Sequence, residues 1–157
     1  MPVKQISLRK MRWMLFLLGM FKIPMVGFVR PKLLLVDDTR VKVRIKLRRK
    51  TRNHLQSMYF GALAVGADIA GGIHAFYFAE ISGSKVSFAF KGMQAEFIQR
   101  AESHIIFESN EGKLVSDAIL KSKLSGERVN ESINVSAYNL KNELVAKFQM
   151  IVSVKVK

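Results

Sequence analysis

The residues able to do chemistry gather in one stretch, Arg52-Asn53-His54-Leu55-Gln56-Ser57-Met58-Tyr59-Phe60-Gly61-Ala62, with Asp68 two helical turns further on. A helix that begins here offers N–H groups with no intrahelical partner, and together with the helix dipole these suit a developing oxyanion. Gly61 lets a ligand approach the backbone closely. Asp68 stands in an otherwise apolar run, where desolvation raises a carboxyl pKa and suits it to general-base work. The competing reading is a core aspartate bonded to a neighbouring hydroxyl.

Several other chemistries are excluded or unsupported. The chain has no cysteine, which removes disulfides, zinc–thiolate sites and cysteine nucleophiles. His54, His74 and His104 are too scattered along the sequence to suggest a metal cluster. No phosphate loop, dinucleotide fingerprint or Gly-x-Ser-x-Gly elbow is present.

The elements that must position these groups follow from periodicity. From Ser57 to Ala79 the clearly polar residues are Ser57, Asp68 and His74, and Gly61, Gly66, Gly71 and Gly72 interrupt the bulk. As a helix this run is about 34 Å long and apolar around its circumference. It reaches the length of a membrane span. Asp68 near its middle would cost roughly 2.5–3.5 kcal/mol in lipid, and amphipathic strands follow it, so enclosure by protein is expected.

Strand-like alternation lies on both sides of this helix. Val41, Val43, Ile45 and Leu47 alternate with Arg40, Lys42, Arg44, Lys46 and Arg48. One face is therefore aliphatic and the other cationic. The cationic face is either solvated or a landing strip for coenzyme A phosphates, an acidic carrier protein or anionic lipid. Lys85–Phe90, Ser103–Glu108, Ser132–Tyr138 and a last strand carrying Ala146, Phe148, Met150, Val152 and Val154 follow, with a short helix over Gly112–Leu124. A sheet polar on one face and apolar on the other suggests an α+β domain with the sheet curled around the long helix. Its open edges would be removed by pairing with a second copy, giving a homodimer or a tetramer.

Charge is unevenly placed. Residues 1–52 hold 15 Lys+Arg against Asp37 and Asp38, while residues 53–157 hold 11 against 10 acids. An anionic partner near the N-terminal third is plausible, and a specific nucleic-acid surface is not implied. Residues 8–23 read as a basic, apolar helix that either caps the core or makes peripheral membrane contact or an acyl-chain lid. The three prolines, Pro2, Pro24 and Pro31, bracket an irregular connector. The expected division is a helix and connector over 1–32 and one domain over 33–157. The run Met14–Phe21 lacks a small-residue cleavage site, so a cytoplasmic location is expected.

Asn53, Gly61 and Asp68 stand at the spacing of the signature in hotdog-fold acyl-CoA thioesterases of the phenylacetate-pathway type. That signature is an asparagine, a Gly-x-x-His-Gly-Gly run, and an acid fifteen residues after the asparagine. The resemblance is specific over 53–72 and covers 33–156 loosely. It implies a hotdog fold, a curved antiparallel sheet wrapped around one long buried helix. It also implies a thioesterase acting on acyl-CoA or an acyl carrier protein, with no cofactor beyond coenzyme A as part of the substrate. By resemblance Asp68 is the base or nucleophile, the N–H groups of Phe60 and Gly61 polarise the thioester carbonyl, and Asn53 orients the water. The asparagine and the acid would come from different subunits. Gln56 and Phe60 replace glycines of the signature and Tyr59 its histidine, which shapes substrate binding; His54 lies beside them. The family often has a serine or threonine about eighteen positions beyond the acid. Val86 stands there, with Ser84 and Ser87 as substitutes. Two alternatives are a non-catalytic acyl or lipid binder and a hydroxyacyl dehydratase-like enzyme, whose His/acid spacing resembles that of His54 and Asp68.

Overall fold

In a computed structural model that describes residues 5–157, six strands form one antiparallel sheet against a single long helix. The first four residues of the segment expected over 1–32 lie outside the described residues. The N-terminal part is helical: α1 (Leu8–Leu17), a π-helical turn over Leu18–Lys22, and α2 (Pro24–Val29). The connector expected between the prolines is thus partly a helix. Pro24 sits at its first position, where the missing N–H costs nothing and the fixed φ is already helical. Met11, Leu15, Val26 and Val29 join the common hydrophobic core.

Strands β1 (Lys32–Val36) and β2 (Val41–Ile45) form a hairpin whose turn is tied by Asp37. The Asp37 carboxylate accepts from Thr39 N, Thr39 Oγ1 and Arg40 N at 2.8–2.9 Å. Partial burial alone would raise its pKa, but these bonds and the Arg40 charge outweigh it and bring the value down to about 2. β2 shows the expected alternation, with Val41, Val43 and Ile45 fully buried.

The long helix α3 spans Phe60–Ser82, three residues later at each end than the sequence suggests. Ser57 and Met58 belong to the preceding loop: Ser57 N donates to Asn53 Oδ1, and Met58 N to the Ala101 carbonyl. At the other end Gly83, with φ +64, supplies the left-handed cap. β3 (Val86–Phe97), β4 (Ile105–Ser109), α4 (Gly112–Ser125), β5 (Val129–Tyr138) and β6 (Leu144–Val156) complete the chain. The sheet order is β1-β2-β4-β5-β6-β3, so β1 and β3 are its edges.

The inner face explains why α3 is so apolar. Phe107, Ile133, Val135, Phe148, Met150 and Val152 are buried beneath it. Gly66 exists for close approach, since a Cβ there would run into the Phe107 ring. Two polar side chains of α3 fasten it to the β1–β2 turn. His74 Nε2–H donates to the Asp37 carbonyl at 3.1 Å, and Tyr77 O–H donates to Asp38 at 2.9 Å. Burial lowers the His74 pKa, and burial with the Asp38 bond pushes Tyr77 up to about 12. His104 accepts from Leu47 N at 3.0 Å. These two histidines hold chain segments together. α3 is long and apolar enough to cross a membrane, yet 67% of its most apolar window is buried against the rest of the chain.

Candidate functional site

The first two turns of α3 are built differently from the rest. Tyr59 caps the helix without a side-chain hydrogen bond, so the N–H groups of Phe60, Gly61 and Ala62 carry no side-chain cap. Gly61, Ala64, Val65 and Asp68 share one face at helical spacing, and all four are half-buried while their neighbours Ala62, Leu63, Gly66 and Ala67 are buried. That face looks onto sheet that no described residue covers fully. Met93 pairs with buried Met150, and Phe97 with buried Ala146, so both point to the inner side of the sheet. They are nevertheless 44% and 49% exposed.

β3 runs back along α3. Phe88 packs on Phe76, and Phe97 meets Phe60 with ring centroids 6.3 Å apart. Between these anchors the strand passes the turn that carries Asp68. The result is an open apolar trough with a single carboxylate. Among the described residues Asp68 has no hydrogen bond or ion pair, so the reading of a core aspartate held by a hydroxyl does not describe it. Desolvation alone raises its pKa above the ordinary carboxylate range.

The other residues singled out from sequence fall in three places. Asn53 builds the loop before the helix: its side-chain oxygen accepts from Leu55 N at 2.8 Å and from Ser57 N and Oγ at 3.2 Å, leaving its amide N–H groups free of that network. His54 and Gln56 lie exposed on the same loop. Gln56 has φ +62, the left-handed conformation that glycine adopts without strain, which accounts for a glycine in the signature at this point. Tyr59 and Phe60 are exposed at the helix start, their rings 4.8 Å apart. The Tyr59 ring lies on Gly61, where a Cβ would collide with it, so the backbone face open to close approach is occupied by that ring. Ser84 and Ser87 lie past the far end of α3. Ser87 Oγ accepts from Arg128 at 3.4 Å. The chain therefore gathers Asn53, His54, Gln56, Tyr59, Phe60 and Gly61 at the helix start with Asp68 two turns in, and leaves both serines at the opposite end.

Met93 and Phe97 are the trough residues that periodicity missed. An extra residue, Lys91, is inserted between Phe90↔Val152 and Gly92↔Ile151, and this bulge switches the inward parity from Val86, Phe88, Phe90 to Met93, Ala95, Phe97. A second alternating run with the parity reversed was the signal available in the sequence.

A match to the family described as a domain of unknown function, DUF4442, runs over residues 12–154. The chain is a DUF4442 protein. No curated protein matches it in sequence. Among solved structures this DUF4442 chain is similar to a Pseudomonas aeruginosa protein described as of unknown function and a probable thioesterase. Identity is 19%, coverage 99% of each chain, and TM-score 0.79. A Chlorobaculum tepidum protein of unknown function shares 12% identity over 96% of this chain and 94% of its own, at TM-score 0.80. A Haemophilus influenzae thioesterase shares 9% over 98% of this chain and 94% of its own, at TM-score 0.72. These likenesses establish the hotdog fold of the DUF4442 chain, a sheet curved around one long helix.

Proposed function

We propose that this protein is a thioesterase that hydrolyses an acyl-CoA or an acyl carrier protein thioester at the start of α3. The observation that carries the reading is Asp68: a partner-free carboxylate on an open apolar face, two turns from uncapped helix N–H groups. Three hotdog relatives described as thioesterases or of unknown function are compatible with it.

In this reading the thioester carbonyl oxygen lies against the N–H groups of Phe60 and Gly61. Tyr59 moves off Gly61 to admit it. The Asp68 carboxylate takes a proton from water as the oxygen attacks the carbonyl carbon; the C–S bond breaks, and the proton passes to the departing sulfur. The products are a carboxylic acid and free thiol. A pKa above the ordinary range makes Asp68 a stronger base than a surface aspartate.

The working unit is a dimer. β3 is a twelve-residue edge strand paired only with β6, contains no proline, and stands beside the bare trough. Pairing of two such edges covers the trough and removes the exposed edge. A second reading, an acyl binder without turnover, is favoured by the Tyr59 ring over Gly61 and the bulk of Phe60.

The deciding experiment measures thiol release from a panel of acyl-CoAs with wild type, Asp68→Ala and Asp68→Asn. Release by wild type and its loss in both variants, with folding retained, supports hydrolysis. Tight acyl-CoA binding without thiol release by wild type supports the binder.

A further inference from the structure

The N-terminal helices present a surface that the thioester chemistry does not use. Seven of the seventeen exposed large apolar side chains among the described residues lie between Trp13 and Phe28. Trp13 is 60% exposed and Phe21 75%, while Trp13 stacks on Phe16 with centroids 5.5 Å apart. The chain has no Asp or Glu before Asp37, and Glu80, which reaches α1 from α3, is paired with Lys10. Phe28 lies under Lys50, whose ammonium is 5.2 Å from the ring centre.

Beside this surface is a second, unlike one. Arg30, Lys32, Arg44, Lys46 and Arg48 line a cleft of about 270 Å³. Lys32 and Arg44 are directly opposed across the β1–β2 pair, an arrangement in which like charges repel. Nearby acids are engaged elsewhere: Glu108 pairs with Lys42 at 3.7 Å and Asp37 with Arg40 at 3.4 Å. None of the five cations makes an ion pair among the described residues. The Nε groups of Arg44 and Arg48 are buried and have no hydrogen-bond acceptor. Arg30 is held at φ +49, a conformation uncommon for a long side chain. The cleft thus gathers donors and positive charge, with no carboxylate among its lining residues.

The two surfaces share walls. Arg30 and Lys32 also line an apolar groove of about 640 Å³ whose other sides include Leu15, Phe16, Met20 and Val26. Groove and cleft together match one kind of partner, apolar on one side and phosphate-bearing on the other.

We propose that this face docks on an anionic phospholipid bilayer, with a headgroup phosphate in the Arg30–Lys32–Arg44–Lys46–Arg48 cleft and the exposed aromatic side chains of α1 and α2 in the acyl boundary. Bilayer anions relieve the repulsion in the cleft, and the aromatic rings enter the interface where their apolar area leaves water. The docking does not depend on turnover at Asp68.

The test uses the full chain and its single tryptophan, Trp13, as an unmutated reporter. Sedimentation and Trp fluorescence are followed with vesicles of phosphatidylcholine alone and of phosphatidylcholine with phosphatidylglycerol in equal parts. The expected result is co-sedimentation and a blue-shifted emission with the mixed vesicles only, weakened by salt. Lys32→Gln with Arg44→Gln should lower partitioning by at least about tenfold, a loss on the scale of two cationic contacts. Phe16→Ser with Phe21→Ser, which keeps the cleft, should abolish the blue shift. Equal binding to both vesicle types, or binding unchanged in the charge variant, overturns the proposal. So does an absence of vesicle binding when inorganic phosphate or coenzyme A alone raises the melting temperature, because the cleft then serves a soluble phosphate.

Discussion

Helix α3 is enclosed over its second half and open over its first, and both halves lie against the same sheet. In the enclosed half, glycines admit aromatic side chains, and the polar residues His74 and Tyr77 have partners in the β1–β2 turn. In the open half, inward-pointing Met93 and Phe97 stay about half exposed, the helix start has no side-chain cap, and Asp68 has no partner among the described residues. The contrast separates stability from chemistry. Where buried side chains are tied to a neighbouring turn, the structure is a scaffold. Where one carboxylate is stranded on apolar surface, a ligand or a second subunit is what completes it.

The largest expected effect tests the enclosed half. Tyr77 is buried in that half and its hydroxyl donates to Asp38. Tyr77→Ala should cost about 3–5 kcal/mol and on the order of 10 °C in melting temperature by calorimetry. A smaller loss would mean that the half described as sealed is loosely packed.

In the open half the corresponding substitution should remove function and spare the fold. Asp68→Ala is expected to lower acyl-CoA thiol release by roughly 10²–10⁴-fold, the range of a lost general base. The pH dependence sharpens this. A folded-state pKa above the unfolded value means that the Asp68 contribution to stability is most favourable below the ordinary carboxylate range and is lost as pH rises through the raised value. Asp68→Asn should therefore melt higher than wild type at neutral pH, by a margin that shrinks in acid. A margin independent of pH would show that the carboxyl is not strained by burial.

Breaking the trough should separate the subunits of the proposed dimer. Phe97→Lys is expected to weaken the dimer by roughly tenfold or more in light scattering, as loss of a central apolar anchor does, with little change in the far-ultraviolet dichroism. The smallest effect belongs to the loop before the helix. Gln56→Gly, by relieving a left-handed backbone, should gain about 0.5 kcal/mol in denaturant unfolding.

Much of this architecture was legible in the residues. The length and apolarity of the Ser57–Ala79 run announced a helix that must be enclosed, and the alternation of Val41, Val43 and Ile45 with cations announced β2. What stayed hidden had local physical causes. The helix start was displaced because Ser57 is captured by the Asn53 side chain, a bond that no periodicity records. β1 carries the continuous run Leu33–Leu35, which does not alternate. The open trough was concealed because its strand changes parity midway. Of the site, Asp68 and the helix-start residues were legible as neighbours along one helix. The distance of Ser84 and Ser87 from them follows from the length of α3, since both lie just beyond its last residue.

The extra residue at Lys91 has a consequence for how this chain tolerates changes in length. Removing that one residue would bring Phe90 and Gly92 together in a single unbroken rhythm and leave Met93, Ala95 and Phe97 still facing inward, whereas removing any one residue from Gln94 to Glu96 would turn Phe97 outward. A lone codon deletion is thus absorbed where the strand already carries a spare residue, and a few positions further on it strips Phe60 of its aromatic neighbour on β3.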